Sequence, residues 1–196
     1  MTKTYPQFTI IGITGLMGSG KTTASLYAEE KGIHRIDCDQ IVHELYEPNQ
    51  LGAIKIQAFF EGKYLDKQGR VNRKKLLKEL FKHPKKWEVL SRMIHPLVAE
   101  KIRRQLKQLE RGVVLIEIPI YHEKVFGEFI DELWRLEISP QKQRQNLEKK
   151  ALTTEQIRAI NRVHYADKHP QTHIIENNDS LKELYHQLDK LLSPHL

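Results

Sequence analysis

The residues with the clearest chemical meaning are Gly15-Leu16-Met17-Gly18-Ser19-Gly20-Lys21-Thr22, which satisfy G-x-x-x-x-G-K-[ST] in full. Glycines let the backbone fold tightly and turn its N–H groups toward phosphate oxygens. A helix opening directly after the loop points its positive end at the same anion. Lys21 is expected to reach the β and γ phosphates, and Thr22 to bind the Mg2+ that bridges them. The pattern predicts ATP or GTP as ligand, and no N-K-x-D selects guanine. The alternative is a chance Gly/Ser turn, against which the preceding strand and following helix argue.

Carboxylates supply the next candidates. Asp37-Cys38-Asp39 follows a short predicted strand, and the carboxyl ends of parallel strands line the ligand crevice in α/β folds. Phosphoryl transfer needs positioning and charge neutralisation more than a strong base, so an ordinary ionised Asp would serve. Asp39 is the candidate to orient or deprotonate an acceptor hydroxyl, with helix capping as its plainer role, and Asp37 is the second candidate. Glu117 ends the run VVLIE, where a carboxylate can act on magnesium through water or bond nearby backbone. Glu123 is either a support for that site or a solvated helix acid.

On the acceptor side, His95 before Pro96 can bond a phosphate or ribose oxygen, or simply close a helix. Arg70 and Arg73 flank a turn and a helix start, where forked donors suit phosphate and equally suit open surface. Residues 142–168 carry Lys142, Arg144, Lys149, Lys150, Arg158, Arg162 and Lys168. Two helices there would make either a basic lid that excludes water and supplies cations, or a solvated hairpin. Cys38 is assigned to packing.

The elements that must position these groups follow from periodicity. Residues 8–14, FTIIGIT, form an apolar run without clean alternation, which predicts a strand covered on both faces. Lys21 to Glu30 reads as a helix closed by Gly32. A strand at 33–37 and helices at 39–45 and 51–61 follow, then a helix at 73–81 capped by Asn72. Helices at 85–94 and 97–110 are predicted to be separated by a break at Pro96. Strands are predicted at 113–118, 132–138 and 173–175. Helices are predicted at 122–128, 140–150, 154–165 and 180–192, the second of these capped by Ser139. Strands separated by helices predict a parallel sheet with helices on both faces.

Composition bounds the rest. The 196 residues fit one domain, with or without a small inserted subdomain. At 39% apolar and 29% charged residues, the chain is neither fibrous nor disordered. One cysteine excludes an intrachain disulfide, and the scattered histidines lack zinc spacing. No apolar run is long enough to span a bilayer, and the opening MTKTYPQFTIIGITG reads as a lead-in to a strand, which predicts a cytoplasmic protein. A net charge of +7 predicts attraction to anions without choosing among nucleic acid, lipid and phosphorylated small molecules.

Taken in order, TGLMGSGKTTA at 14–24, IDCD at 36–39, GRVNRKKLLKELF at 69–81, MIHPLV at 93–98, VVLIEIPIYHE at 113–123, EISP at 137–140 and HIIENN at 173–178 resemble the dephospho-CoA kinases. The resemblance runs over most of the chain, and the ordered set is far more specific than the phosphate loop alone. It implies a three-layer α/β/α P-loop NTPase fold of the nucleotide-kinase type, with a five-stranded parallel sheet, a helical CoA-binding region near 50–110 and a lid near 141–168. The implied activity is transfer from ATP, with Mg2+, to the ribose 3′-hydroxyl of dephospho-CoA, giving CoA and ADP. Gly15 to Thr23 match the nucleotide loop, Asp39 the general base, Asp37, Arg73 and His95 the acceptor region, and Asn177 a position beside the nucleotide base.

The chain departs from that pattern in places. Val42-His43 stand where the family has Ala-Arg, Leu77 replaces an arginine, and Lys150-Ala151 replace the lid's Arg-acid pair. Thr172 replaces a late Asp, and Glu117 stands where Asp is usual. Arg144, Lys149 or Arg162 can take the lid role, although lysine lacks arginine's fork. Dephospho-CoA is the expected small-molecule partner, with neither membrane nor nucleic acid, and a monomer is expected, with an oligomer as the alternative. The alternatives are a related kinase for another nucleoside or nucleotide hydroxyl, and a non-catalytic ATP- or nucleic-acid-binding regulator.

Overall fold

The computed structural model describes residues 4–83, 85–148, 157–158, 161 and 172–196. The chain divides into two compact units, one formed by 1–37 and 110–196, the other by 38–109.

The first unit is built on a five-stranded, all-parallel sheet. Its strands are β1 (Phe8–Gly15), β2 (His34–Asp37), β3 (Gly112–Glu117), β4 (Glu132–Glu137) and β5 (His173–Glu176), in the order β2-β3-β1-β4-β5. The central strand β1 lies between β3 and β4, and its residues from Ile10 to Ile13 are buried on both faces, which explains why its sequence does not alternate. Register matters for chemistry here. Asp37 pairs with Glu117 and Gly15 with Leu136, so strand-end residues collect along one edge.

Helices α1 (Lys21–Glu30) and, near the C-terminus, Leu181–Leu192 pack together over this sheet. Ala24, Ala28, Leu184, Leu188 and Leu192 meet Ile11, Ile13, Leu115, Trp134, Leu136 and Ile175 in one core cluster. α1 ends in a Schellman turn, as Gly32 predicts. Gly32 adopts φ 89°, its N–H reaches Glu29 O at 2.9 Å, and the Ile33 N–H reaches Ala28 O at 3.1 Å.

The second unit holds α2 (Cys38–Leu45), α3 (Leu51–Phe59), α4 (Arg73–Lys82) and α5 (Lys85–Leu106). α3 stops short of the expected residue 61 because Glu61 and Gly62 take positive φ, 52° and 72°. The turn before α4 is closed by Asp66, whose Oδ1 accepts from the N–H groups of Gln68 and Arg70. Asn72 then caps α4 by accepting from the Lys75 N–H at 2.9 Å.

The expected break at Pro96 does not occur, and α5 runs through it as one helix of 22 residues ending at Leu106. Proline there removes one helical hydrogen bond and crowds the previous turn, at a cost of ~3 kcal/mol. Leu90, Ile94, Val98, Ile102 and Leu106 are buried along one stripe on both sides of it. Each buried side chain contributes ~1.5–3 kcal/mol, so the stripe outweighs the proline. His95 is therefore mid-helix instead of helix-closing.

In the first unit, β3 is followed by the short α6 (Glu123–Phe126), β4 by α7 (Pro140–Glu148) and β5 by the terminal helix, α8 (Leu181–Leu192). The Lys142 N–H reaches Ser139 Oγ and the Glu183 N–H reaches Ser180 Oγ, both at 3.3 Å, so serines cap α7 and α8. Most of the expected helix 154–165 lies outside the described residues, as do Lys149, Lys150 and Arg162. Among the described residues no helix is long and apolar enough to cross a membrane.

Candidate active site

The loop between β1 and α1 turns on glycines that nothing else could replace. Gly15, Gly18 and Gly20 take φ of 144°, 82° and 100°. A Cβ on Gly15 would lie 2.4 Å from the Leu136 carbonyl oxygen, and one on Gly20 would lie 2.4 Å from Asn177 Nδ2. The Ser19 N–H closes the turn onto Leu16 O at 3.0 Å. Ser19 Oγ is buried without a hydrogen-bond partner in the described structure. An orphaned hydroxyl inside a glycine cradle at a helix N-terminus fits an incoming anion, which would accept its hydrogen bond.

Lys21 opens α1 and is buried, with Nζ donating to Gly15 O at 2.8 Å and Leu16 O at 3.1 Å. Its ammonium is thus held over the start of the loop by backbone oxygens. Thr22 Oγ1 donates to Glu117 Oε1 at 2.7 Å, which leaves the hydroxyl lone pairs available to a hard cation.

Glu117 anchors a network. Its other oxygen accepts from Ser25 Oγ at 2.7 Å and from Arg35 Nη2 at 2.8 Å. Arg35 also bonds Ser25 Oγ through Nε at 2.8 Å and Asp37 Oδ2 through Nη2 at 2.5 Å. One guanidinium therefore joins two carboxylates that the β2–β3 register sets side by side. Burial works against the charge on Arg35, but the hydrogen bond to Glu117 and the charges of Asp37 and Glu117 outweigh it. The guanidinium pKa is raised. Sequence reasoning missed Arg35 and Ser25. The available signal was a lone arginine in a strand ending at an acid.

The loop's remaining carbonyls are taken by amides. Gln143 Nε2 donates to Met17 O, Asn146 Nδ2 to Gly18 O and Asn177 Nδ2 to Ser19 O, at 2.9, 2.9 and 2.8 Å. Asn177, expected beside a nucleotide base, is buried against the loop at the end of β5. Gln143 and Asn146 carry no motif and were missed. Arg144, on the same helix, is exposed. Thr172, at the family's late Asp position, accepts from the Leu133 N–H and returns its own N–H to Leu133 O, closing β4. Glu123 is exposed at the start of α6 and accepts from Tyr121 OH at 2.8 Å. Burial, then that bond, raises the phenol's pKa.

The second unit holds the acceptor candidates Asp39, Arg73 and His95, while Asp37 ends β2 in the first. Asp39 is exposed in the first turn of α2, where an acid is favoured by the helix dipole. Arg73 begins α4, and no acid occupies that first turn. Arg73 Nη1 lies 3.4 Å from His43 Nδ1. Burial raises the nearby Tyr46 pKa to about 12, against the opposing charge of Arg73. Arg70 is tied to Glu47 at 2.9 Å, an exposed pair. His95 is half-buried on α5.

Comparison with known proteins extends these local features over the whole chain. The family model described as dephospho-CoA kinase matches residues 9–183. A dephospho-CoA kinase from Hydrogenovibrio crunogenus is 33% identical over 153 residues, covering 76% of this chain and 75% of its own. One from Lactobacillus acidophilus is 29% identical over 93% of this chain and 95% of its own. Among solved structures, the Thermus thermophilus protein TT1252 superposes with a TM-score of 0.77 at 24% identity, covering 96% of this chain and 98% of its own. The Campylobacter jejuni dephospho-CoA kinase gives 0.61 at 22% identity, covering 95% and 96%. At these identities the superpositions establish the P-loop kinase fold. With the sequence match spanning most of its length, the chain belongs to the dephospho-CoA kinase family.

Proposed function

We propose that this protein transfers the γ-phosphoryl group of ATP to the ribose 3′-hydroxyl of dephospho-CoA, giving CoA and ADP, the final step of coenzyme A biosynthesis. The observation that carries the reading is the complete phosphate loop, with Lys21 held over it and Thr22 bonded to the strand-end acid Glu117.

The loop from Gly15 to Thr23 binds the triphosphate, and Lys21 exchanges its carbonyl partners for phosphate oxygens as charge moves to the leaving ADP. Mg2+ fits the oxygen donors here, and when bound it neutralises charge on the phosphate oxygens. Thr22 would hold it directly. Glu117 would act through water, since both its oxygens already accept from protein donors. Asp39 accepts the proton of the acceptor hydroxyl, whose oxygen bonds phosphorus as the bond to the ADP oxygen breaks. Arg73 and His95, within the region 50–110, and Asp37, at the end of β2, belong to the acceptor side. The cations that begin α4 sit against the helix dipole without an acid to offset them, which is sensible if an anionic acceptor supplies that charge. Arg144 is an exposed cation available to the transferring group. Cytoplasmic location and a monomeric state complete the reading.

The test is an acceptor screen with ATP and Mg2+, comparing dephospho-CoA with adenosine, AMP, pantetheine phosphate and water, and locating the new phosphate by mass and phosphorus NMR. Phosphorylation at the ribose 3′ position is expected. Product at another position, or on another acceptor alone, overturns the reading. Asp39→Asn is expected to lower turnover by about 100-fold or more while ATP still binds.

A further inference from the structure

The phosphate loop is clamped from outside by side-chain amides. The carbonyls of Met17, Gly18 and Ser19 accept from Gln143, Asn146 and Asn177 in turn. Across a planar trans peptide, C=O and the next N–H point in opposite directions. Fixing the carbonyls of Met17 and Ser19 toward these donors therefore turns the N–H groups of Gly18 and Gly20 the other way, to the side a phosphate would take. Without the amides, the same peptides are free to rotate and present oxygen to an anion.

Gln143 and Asn146 are three residues apart, and with Leu147 they form one face of α7. Leu147 closes over the loop so tightly that a Cβ on Gly18 would lie 3.1 Å from its side chain. Gln143 is itself fixed. Its amide forms a reciprocal pair with Asn161, donating to Oδ1 at 3.0 Å and accepting from Nδ2 at 3.1 Å. With both ends engaged, a flipped amide would oppose oxygen to oxygen at Met17 and at Asn161 together.

We propose that Gln143 and Asn177 are positioning residues that hold the loop's N–H groups toward bound phosphates, and that Asn161 acts on the loop through Gln143. This rests on the loop being the ATP site, so wild-type binding is measured first by calorimetry with ATP, ADP and AMP. Failure of the wild type to bind ATP overturns the nucleotide-site reading and the clamp with it.

Given binding, Gln143→Met, which keeps length but loses both polar ends, is expected to weaken ATP and ADP about tenfold and AMP by less than about twofold. A merely structural defect would lower the bound fraction for every nucleotide equally. Asn161→Ala is expected to weaken ATP about threefold, and the double variant to bind no worse than Gln143→Met alone. Asn177→Ser, which removes the donor to Ser19 O, is read the same way if Gln143→Met does not fold. ATP affinity within twofold of wild type in the folded variants, equal losses for AMP, or multiplying losses in the double variant would each overturn the clamp.

Discussion

The two compact units carry their charges in opposite ways. In the unit that holds the phosphate loop, Glu117 is 3% exposed and Arg35 14%, and their bonds run on into Thr22, Ser25 and Asp37. In the helical unit the ion pairs are more open, from Lys86 and Glu79 at 38% and 20% exposure to Arg92 and Glu88, 3.5 Å apart, at 78% and 75%. The first unit builds an anion site by removing water and fixing every neighbour, so binding and folding draw on the same contacts. The second displays charge on helices that fold without it. The difference teaches that a substitution around the phosphate loop of the first unit should disturb stability and nucleotide together, whereas one at a ligand-facing charge of the second should change a ligand constant alone.

The strongest test is one substitution made in both units. Alanine at Gly15 must accept φ 144° and a Cβ 2.4 Å from a sheet carbonyl that cannot move aside. We expect a loss of about 3 kcal/mol or more in denaturant unfolding, with ATP binding abolished in what remains folded. Alanine at Gly62 meets φ 72° but nothing within 4 Å, so it should cost only ~1 kcal/mol and leave turnover intact. Equal effects at the two sites would erase the contrast.

A smaller effect is expected at Arg35. Arg35→Met leaves the buried Glu117 without its charged partner, a change that costs ~3 kcal/mol when a buried pair is broken on one side. Arg35→Lys keeps the charge but cannot copy bonds made from both Nε and Nη2, so it should fall between. Urea midpoints check the order, and a methionine variant as stable as wild type would show the network to be ornamental.

How much of this was legible in the sequence follows the same division. The phosphate loop was readable because glycine geometry and the helix terminus are local, and local rules use adjacent residues. The Gly32 turn and the Asn72 and Ser139 caps were readable for the same reason. Pro96 misled because a local cost was weighed without the buried stripe that overrides it. Arg35 and Gln143 were invisible because their partners lie 82 and 126 positions away. Amide side chains also lack a fixed spacing that would mark them. Asp39, Arg73 and His95 were named as candidates from a strand end, a helix start and a His-Pro pair, each with a plainer alternative that the resemblance narrowed, since polar residues on helices look alike whether or not a ligand meets them.

Arg73→Ala separates those cases. It begins α4, where its charge does nothing for the helix, so removing it should leave the unfolding free energy within about 0.5 kcal/mol of wild type. If an anionic acceptor docks there, the KM for dephospho-CoA should rise about tenfold with the ATP KM unchanged. A stability loss without a KM change would make Arg73 part of the scaffold and move it to the other side of the comparison.

The smallest expected effect is Arg92→Ala. Its partner Glu88 is one helical turn back at 3.5 Å, both side chains stand in solvent, and holding two long chains in register costs entropy that the screened attraction barely offsets. The change should be under ~0.5 kcal/mol, shrink further in high salt and leave both KM values alone. A loss above ~1 kcal/mol that persists in salt would mean that open charges in the helical unit also hold structure. The quiet response of Arg73 to mutation could then no longer be read as evidence of a ligand-facing role.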